Sequence, residues 1–305
     1  SGSIDMIGEI GVTLDQAIAL EQRMEKDPSL KERFVIRYKD GPVFEHMDAN
    51  LNNEILQDKR VRQAITYAID RDSMVKSLFN ARQAVAHNIV HPKDASYRDD
   101  TKKYDFDKAR AEKLLDEAGW VKTEGAEFRS KNGKQLTFEL ATTAENKTRG
   151  LVQVILKEQW KEIGIDLQLK TLPARVFFTT YLNRRQFTGL AMYAWSVGPD
   201  YIPVSGAHSN EIPSKENGWN GQNYAGWVNK KVDGALDRAV LAFTAEERAK
   251  ELSIYLDEYS EELPNIPLYW RSAVAVIPKN LQNFTMAGHQ FYANYEADQW
   301  RYANK

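Results

Sequence analysis

The run Asp58-Lys59-Arg60-Val61-Arg62-Gln63-Ala64-Ile65-Thr66-Tyr67-Ala68-Ile69-Asp70-Arg71 is the stretch from which the fold can be read outward. Asp58 stands where a carboxylate can accept from the free N–H groups that open a helix. Val61, Ala64, Ile65, Ala68 and Ile69 then recur at i, i+3, i+4, i+7 and i+8, the spacing of a single helix face. The stripe predicts a helix packed on a core, with Arg60, Arg62 and Gln63 lying off it. Asp72 or Ser73 starts a second short helix that carries Met74, Val75, Leu78 and Phe79.

Toward the N-terminus, residues 4–10 read as a short strand, and residues 14–24 as a helix capped by Thr13 or Asp15. Residues 34–38 and 43–47 read as two strands, with Gly41-Pro42 breaking between them. Downstream, 84–104 are irregular. Asp105 or Asp107 caps a helix with the stripe Ala111, Leu114, Leu115 and Ala118, and Gly119 sits where a left-handed terminator belongs. Asn132-Gly133 signals a hairpin between Phe128 and the Leu136, Phe138, Leu140 alternation.

A long helix with Val152, Ile155, Leu156, Trp160 and Ile163 ends at Gly164, and a strand with Ile165, Leu167 and Leu169 follows it. Pro173 opens a short helix with Phe177 and Tyr181, and 190–195 read as an apolar strand. Residues 138–195 thus form a βαβ-like passage. Helices near 230–243 and 245–262, strands at 266–270 and 273–277, and an aromatic tail over 280–305 complete the chain. This order predicts an α/β domain with a mixed sheet flanked by helices.

Bulk properties narrow the function. With 305 residues, 42% hydrophobic and 28% charged, the chain has the composition of a globular protein. Its net charge of −2 lacks the basic footprint of a nucleic-acid binder. Mean hydropathy is −0.57, and no apolar run approaches the roughly 20 residues of a membrane span. The absence of cysteine removes disulfides, thiolate nucleophiles and cysteine-ligated metals. The opening Ser1-Gly2-Ser3-Ile4-Asp5 has no basic start and no apolar core of a signal peptide. It reads as mid-domain sequence, so the natural chain is expected to begin upstream.

Catalytic signatures are missing. Of His46, His87, His91, His208 and His289, only His87 and His91 stand four apart, and they lie in the irregular stretch 84–104 without the glutamate of a zinc-protease pair. No HExxH, GxSxG, phosphate-loop or dinucleotide pattern occurs. No catalytic residue, metal ligand or cofactor is assigned, and the chain is read as a binding protein, not an enzyme. The informative stretch is the long loop 196–229, where Trp195, Trp219, Tyr224 and Trp227 are interleaved with Asp200, Ser205, Asn220, Gln222 and Asn223. Aromatic walls with a few convergent polar groups are how small-molecule sites are built. For any one of these rings, packing the loop onto the domain is the plainer role.

Several ordered segments together resemble the dipeptide/oligopeptide/nickel class of extracellular solute-binding proteins of ABC importers. They are Gly2-Ser3-Ile4-Asp5, Asn50, Asp58-Lys59-Arg60-Val61-Arg62-Gln63-Ala64, Ala68-Ile69-Asp70-Arg71, and Tyr104-Asp105-Phe106-Asp107-Lys108-Ala109. Leu114-Leu115-Asp116-Glu117-Ala118-Gly119-Trp120, Ile163-Gly164-Ile165, and Asn223-Tyr224 through Val232-Asp233 continue the series. The resemblance implies a periplasmic-binding-protein-like lobe plus remnants of the other lobe. Residues 1–45 would be a remnant of lobe one, 46–274 would be lobe two with hinge segments at both ends, and 275–305 would return to lobe one. Tail aromatics Phe291, Tyr292, Tyr295, Trp300 and Tyr302 would then lack natural partners.

The implied function is capture of a peptide or peptide-like solute between two lobes and delivery to a membrane ABC permease. The implied location is the periplasm, or the outer face of a membrane by a lipid anchor. In oligopeptide binders an Asp shortly after a strand-end Trp pairs with the ligand's amino terminus, so the segment Trp195-Ser196 to Asp200 makes Asp200 the matching residue here. The gap is longer than is usual in the family. Arg175, Trp219, Asn223 and Tyr224 complete the set expected to face ligand, beside Trp195 and Ser196. A receptor for a non-peptide solute, or the sensing lobe of a transcription regulator, remain the competing expectations.

Overall fold

The helix that Asp58 opens is Lys59–Tyr67, and Asp58 accepts from the Arg60 N–H as its cap. The whole run of seven residues from Val61 to Tyr67 is buried, however, including Arg62 and Gln63. The sequence stripe located the core face correctly and misplaced the polar faces, because the packing around this helix presents bare backbone carbonyls that need donors. Arg62, 3% exposed, supplies them: its Nε donates to the Glu262 and Leu263 carbonyls at 2.8 and 3.1 Å. Its Nη1 donates to the Leu56 and Gln57 carbonyls at 2.6 and 2.9 Å. Gln63 Nε2 donates to the Glu261 carbonyl at 2.7 Å.

The computed structural model describes residues 4–8, 11–198, 201–286 and 293–303. In chain order, helices α1 (Leu14–Lys26) and α2 (Pro28–Arg33) precede strand β1 (Phe34–Ala49), α3 (Lys59–Tyr67), α4 (Arg71–Phe79) and the short β2 (Ala84–Val85). Then come α5 (Lys108–Glu117), the hairpin β3 (Ser130–Lys131) and β4 (Lys134–Gln135), β5 (Thr137–Thr143), α6 (Lys147–Glu162) and β6 (Asp166–Leu172). After α7 (Ala174–Val176), a π-helical turn Phe177–Leu182 leads to β7 (Leu190–Ser196) and α8 (Val204–Ala207). The chain finishes with α9 (Lys230–Leu241), α10 (Ala245–Glu262), β8 (Asn265–Pro278), β9 (Leu281–Gln282) and β10 (Arg301–Tyr302).

By internal contacts the chain divides into two units: Ser1–Phe44, Asp72–Val85 and Tyr269–Lys305 form one, and Glu45–Arg71 with Ala86–Leu268 the other. The sequence reading ran lobe two without a break over 46–274. The division differs at 269–274 and at Asp72–Val85, where α4 joins the first unit: Phe79 packs on Tyr269 with ring centroids 5.0 Å apart, and Met74 and Val75 are buried.

In the first unit, β2 pairs antiparallel with β8, and β8 neighbours β1. Ala275, Ile277 and Met286 form a small core with Met6, Val35 and Phe284 packed against it. Two elements differ from the expected pattern here. Residues 4–10 contribute only a bridge, Ile7 to Val276, among the described residues. Gly41-Pro42 does not split the strand. The strand runs through it unbroken from Phe34 to Ala49, between β8 and β7 in the strand order. The pairs 34–38/43–47 and 266–270/273–277 accordingly become the single strands β1 and β8.

The second unit carries the sheet order β8-β1-β7-β5-β6. Strand β5 runs parallel to both β6 and β7, which is the βαβ passage read from the sequence. Asp107 and Asn146 cap α5 and α6, and Asn132 and Gly133 both take positive φ in the hairpin turn. Gly189 must be glycine, since a Cβ there would lie 2.2 Å from the Glu139 carbonyl oxygen. Two more buried arginines serve carbonyls. Arg71 donates to Ala86, Pro267 and Tyr104. Arg129 donates to Ile163 and Trp120 and pairs with Asp116. The buried Glu45 carboxylate is met by Arg149 Nε at 2.6 Å.

Burial draws the Arg62 guanidinium down to about 10, against the raising charges of Glu262, Asp58 and Tyr104. It remains a cation at neutral pH and its bonds are charge-assisted. Arg62→Met would leave the four carbonyls without these donors, at a cost of about 1–3 kcal/mol for each that is buried before relaxation, as those of Leu56 and Leu263 are. We expect a loss of about 4 kcal/mol or more in urea unfolding, with Arg62→Lys intermediate. A loss of under about 1 kcal/mol would mean that water satisfies these carbonyls equally well.

Glu261 yields a pH prediction. Its partial burial raises the carboxyl pKa, but the hydrogen bonds and charges of Lys102 and Lys59 outweigh this and hold it down at about 2. A depressed folded-state value contributes stability above the ordinary value of 4.5 that is lost as pH falls toward 2. Thermal unfolding scanned from pH 5 to pH 2 should therefore fall less steeply for Glu261→Gln than for wild type. Identical slopes would show that this three-charge cluster is screened out by solvent.

Candidate ligand pocket

Alternation along two neighbouring strands sets up the floor of a pocket within the second unit. On β1, His46 and Asp48 share a face, and on β7, Tyr193 and Trp195 share one, because residues two apart in a strand point the same way. All four line the pocket. The Tyr193 hydroxyl donates to Asp48 Oδ2 at 2.7 Å, and His46 Nε2 lies 3.4 Å from Asp48 Oδ1. The His46 ring meets Tyr193 edge-on with centroids 4.5 Å apart, and Trp195 stands perpendicular to Tyr193 at 6.4 Å.

The walls come from two other places. Helix α10 presents Tyr255 and Tyr259, one turn apart, with rings 5.5 Å from each other. The loop after β7 contributes Tyr201, Pro203, Gln222 and Trp227. Burial lifts the phenols of Tyr193, Tyr255 and Tyr259 well above their ordinary value, with the Asp48 charge adding to each. Burial, with the same charge, takes Tyr224 up to about 12. All four are therefore neutral donors at physiological pH.

The loop is held in shape by one side chain. Asn223 is fully buried, and its Nδ2 donates to the carbonyls of Ala207, His208 and Trp227 at 3.2, 3.1 and 2.8 Å. Its Oδ1 accepts from the Gly226 and Trp227 N–H groups. Gly221, at φ +90°, passes so close to Glu211 that a Cβ would lie 2.1 Å from its carbonyl oxygen. Ser205 Oγ donates to Gln222 Oε1 at 2.9 Å, and Trp227 Nε1 donates to Glu262 Oε2 at 2.6 Å.

The residues expected from the sequence to face ligand are not gathered into one place. Trp195 lines the pocket. Tyr224 is packed behind it, 6.3 Å from Tyr193. Asn223 has its amide committed to the loop backbone, and Ser196 ends β7 outside the lining. Arg175 is exposed on α7. Trp219 is half-buried at φ +64°, with the Arg184 guanidinium 6.0 Å from its ring. Asp200 lies outside the described residues, as do Phe291 and Tyr292 of the tail. The sequence reading missed His46, Asp48, Tyr201, Tyr255 and Tyr259. The available signal was the run Glu45-His46-Met47-Asp48, where three ionisable groups interrupt a strand otherwise built for burial.

Residues 1–210 match the family model for bacterial extracellular solute-binding proteins, family 5 Middle. The chain belongs to the bacterial extracellular solute-binding proteins of family 5. Among curated relatives, the oligopeptide-binding protein AppA of Bacillus subtilis (strain 168) is 29% identical over 240 residues, covering 77% of this chain and 42% of the relative. Among solved structures, the oligopeptide-binding protein of Thermus thermophilus complexed with a pentapeptide superimposes with a TM-score of 0.81 at 33% identity. That match covers 93% of this chain and 50% of the other. NikZ of Campylobacter jejuni in complex with Ni(L-His) gives 0.79 at 27% identity, over 98% and 57% of the two chains. The chain thus spans about half the length of the relatives it matches. Family 5 proteins are extracellular or periplasmic, and among the described residues no helix is long and apolar enough to cross a membrane.

The amide of Asn223 makes five hydrogen bonds that a truncation would remove. Asn223→Ala is expected to lower stability by about 2–4 kcal/mol and to accelerate amide hydrogen exchange across residues 205–227. Unchanged exchange in that window would move the organising role elsewhere in the loop.

Proposed function

We propose that this chain is the solute-capturing part of an ABC importer's receptor, that it takes a peptide or peptide-like solute, and that it hands this to a membrane permease outside the cytoplasm. The observation that carries the reading is a ring-lined pocket with a buried carboxylate, set in a fold whose 33%-identical structural relative holds a pentapeptide. Rings on fixed strands and a helix give apolar contact at little entropic cost, and a few polar groups fix orientation. The chemistry needed is binding and release, so no turnover of the solute is expected. The relatives described above are solute receptors, which favours this reading over the sensing lobe of a regulator.

Within this reading Trp195 contacts the solute directly and Tyr224 supports it from behind. Asp200, with Ser196 and Asn223 flanking the same loop, remains the residue proposed to meet the ligand's amino terminus. Arg175 and Trp219 are proposed only as outer contacts for a long ligand. Solvation of the ligand's side chains by ordered water would account for tolerance toward peptide sequence.

Native mass spectrometry of the full-length protein should reveal a co-purified peptide-like solute. Recurrent recovery of a metal chelate or sugar instead would redirect the assignment. Calorimetry with a free-amine peptide should show Asp200→Asn binding more than tenfold more weakly than wild type, because truncating one partner of a desolvated charge pair is costly. Equal affinity of the two proteins would remove Asp200 from the site.

A further inference from the structure

The second unit contains two deeply buried carboxylates on one strand, and their surroundings differ. Glu45 is fully buried and is met by Arg149. Asp48, 3% exposed, has as neighbours the Tyr193 phenol and the His46 imidazole, and no lysine or arginine pairs with it among the described residues. An ionised carboxylate removed from water is costly unless a cation or several donors meet it. It also has capacity left, since a carboxylate offers about four acceptor positions, of which Tyr193 takes one and His46 Nε2, 3.4 Å away, faces another.

The rest of the pocket has the same bias. Among the described residues its lining includes no lysine and no arginine. The Tyr255, Tyr259, Trp195 and Trp227 rings that line it carry negative π faces, which attract cations. The free space is about 30 Å³, against the roughly 10–15 Å³ that one water requires. That admits the unbranched tip of a chain.

We infer that Asp48 and the rings around it form a subsite for the alkylammonium tip of a bound solute, as at the end of a lysine-like side chain or a linear amine. The tip would donate to the free Asp48 lone pairs while the Tyr193 hydroxyl keeps its own bond to the same carboxylate. This deepens the proposed function by naming a chemical class for one part of the solute, and it rests on this pocket being solute-facing. It is separate from the contact proposed for Asp200, which concerns the α-amine.

The test uses small probes, so it does not depend on knowing the natural solute. The full-length protein is titrated with n-butylammonium, n-butanol and glycinamide, following the Trp195 indole N–H resonance, assigned with Trp195→Phe. The expected result is a saturable shift with n-butylammonium, at least tenfold weaker or absent with n-butanol and with the α-ammonium of glycinamide. Asp48→Asn should weaken n-butylammonium at least tenfold. Equal response to butanol and butylammonium, tighter binding of glycinamide, or unchanged binding in Asp48→Asn would each overturn the subsite. If Asp48→Asn does not fold, the contrast among the three probes on wild type decides alone. A protein that binds peptides yet ignores n-butylammonium sinks only this inference. One that binds n-butylammonium but no peptide sinks the peptide reading instead.

Discussion

A buried guanidinium joins two parts of the chain that are 200 residues apart. Arg62 takes the carbonyls of Leu56 and Gln57 from the turn before α3, and those of Glu262 and Leu263 from the end of α10. Leu263 terminates α10 in a left-handed conformation, φ +48°, which a branched side chain with no glycine freedom adopts at a cost. Its own carbonyl and that of Glu262 are the ones Arg62 holds. A rigid fork of donors suits this work better than an ammonium, because it can address several carbonyls in one plane at once. The turn so fixed leads directly into Pro264 and Asn265, which lie in the pocket wall. Position of the wall therefore depends on an arginine that does not line it.

The same device recurs through the second unit. Arg71 and Arg129 each spend their donors on carbonyls of segments that would otherwise end with unsatisfied backbone, and Trp160 Nε1 gives a further bond to the Ile65 carbonyl at 2.9 Å. Irregular stretches such as 86–106 can be packed tightly only if their backbone groups find partners. Long donor side chains from the helices provide them. This explains how a unit with long loops can still hold a pocket to a fixed geometry.

Features that depend on local backbone chemistry were legible in the sequence. Asp58, Asp107 and Asn146 cap helices, Gly119 and Gly164 take positive φ where helices stop, and Asn132-Gly133 turns a hairpin. Each rests on contacts within a few residues. What failed depended on distant partners. Gly41-Pro42 reads as a break, but its effect depends on whether a neighbouring strand needs the missing N–H. Arg62 and Gln63 read as solvent-facing, since nothing within α3 announces carbonyls arriving from residues 261–263. For the site, the aromatic loop was identifiable from composition, and Trp195 lies in the pocket. Asn223, by contrast, looks like a ligand contact in sequence and proves to be the brace of its own loop, a distinction that only the positions of the Ala207, His208 and Trp227 carbonyls can make.

Strand alternation then gives the electrostatic division of the second unit its logic. Glu45 points to one face of the sheet, where Arg149 neutralises it and also donates to Thr143 Oγ1 at 3.0 Å. His46 and Asp48 point to the other face, toward rings and space. A one-residue slip of β1 would exchange these faces, placing Glu45 among the aromatics and leaving Arg149 opposite no carboxylate. The Glu45–Arg149 pair thus has a consequence beyond its own energy, which in a buried pair can be small once desolvation is counted. It fixes the register that delivers Asp48 to Tyr193, and so ties the charge inside the pocket to an ion pair on the opposite side of the sheet.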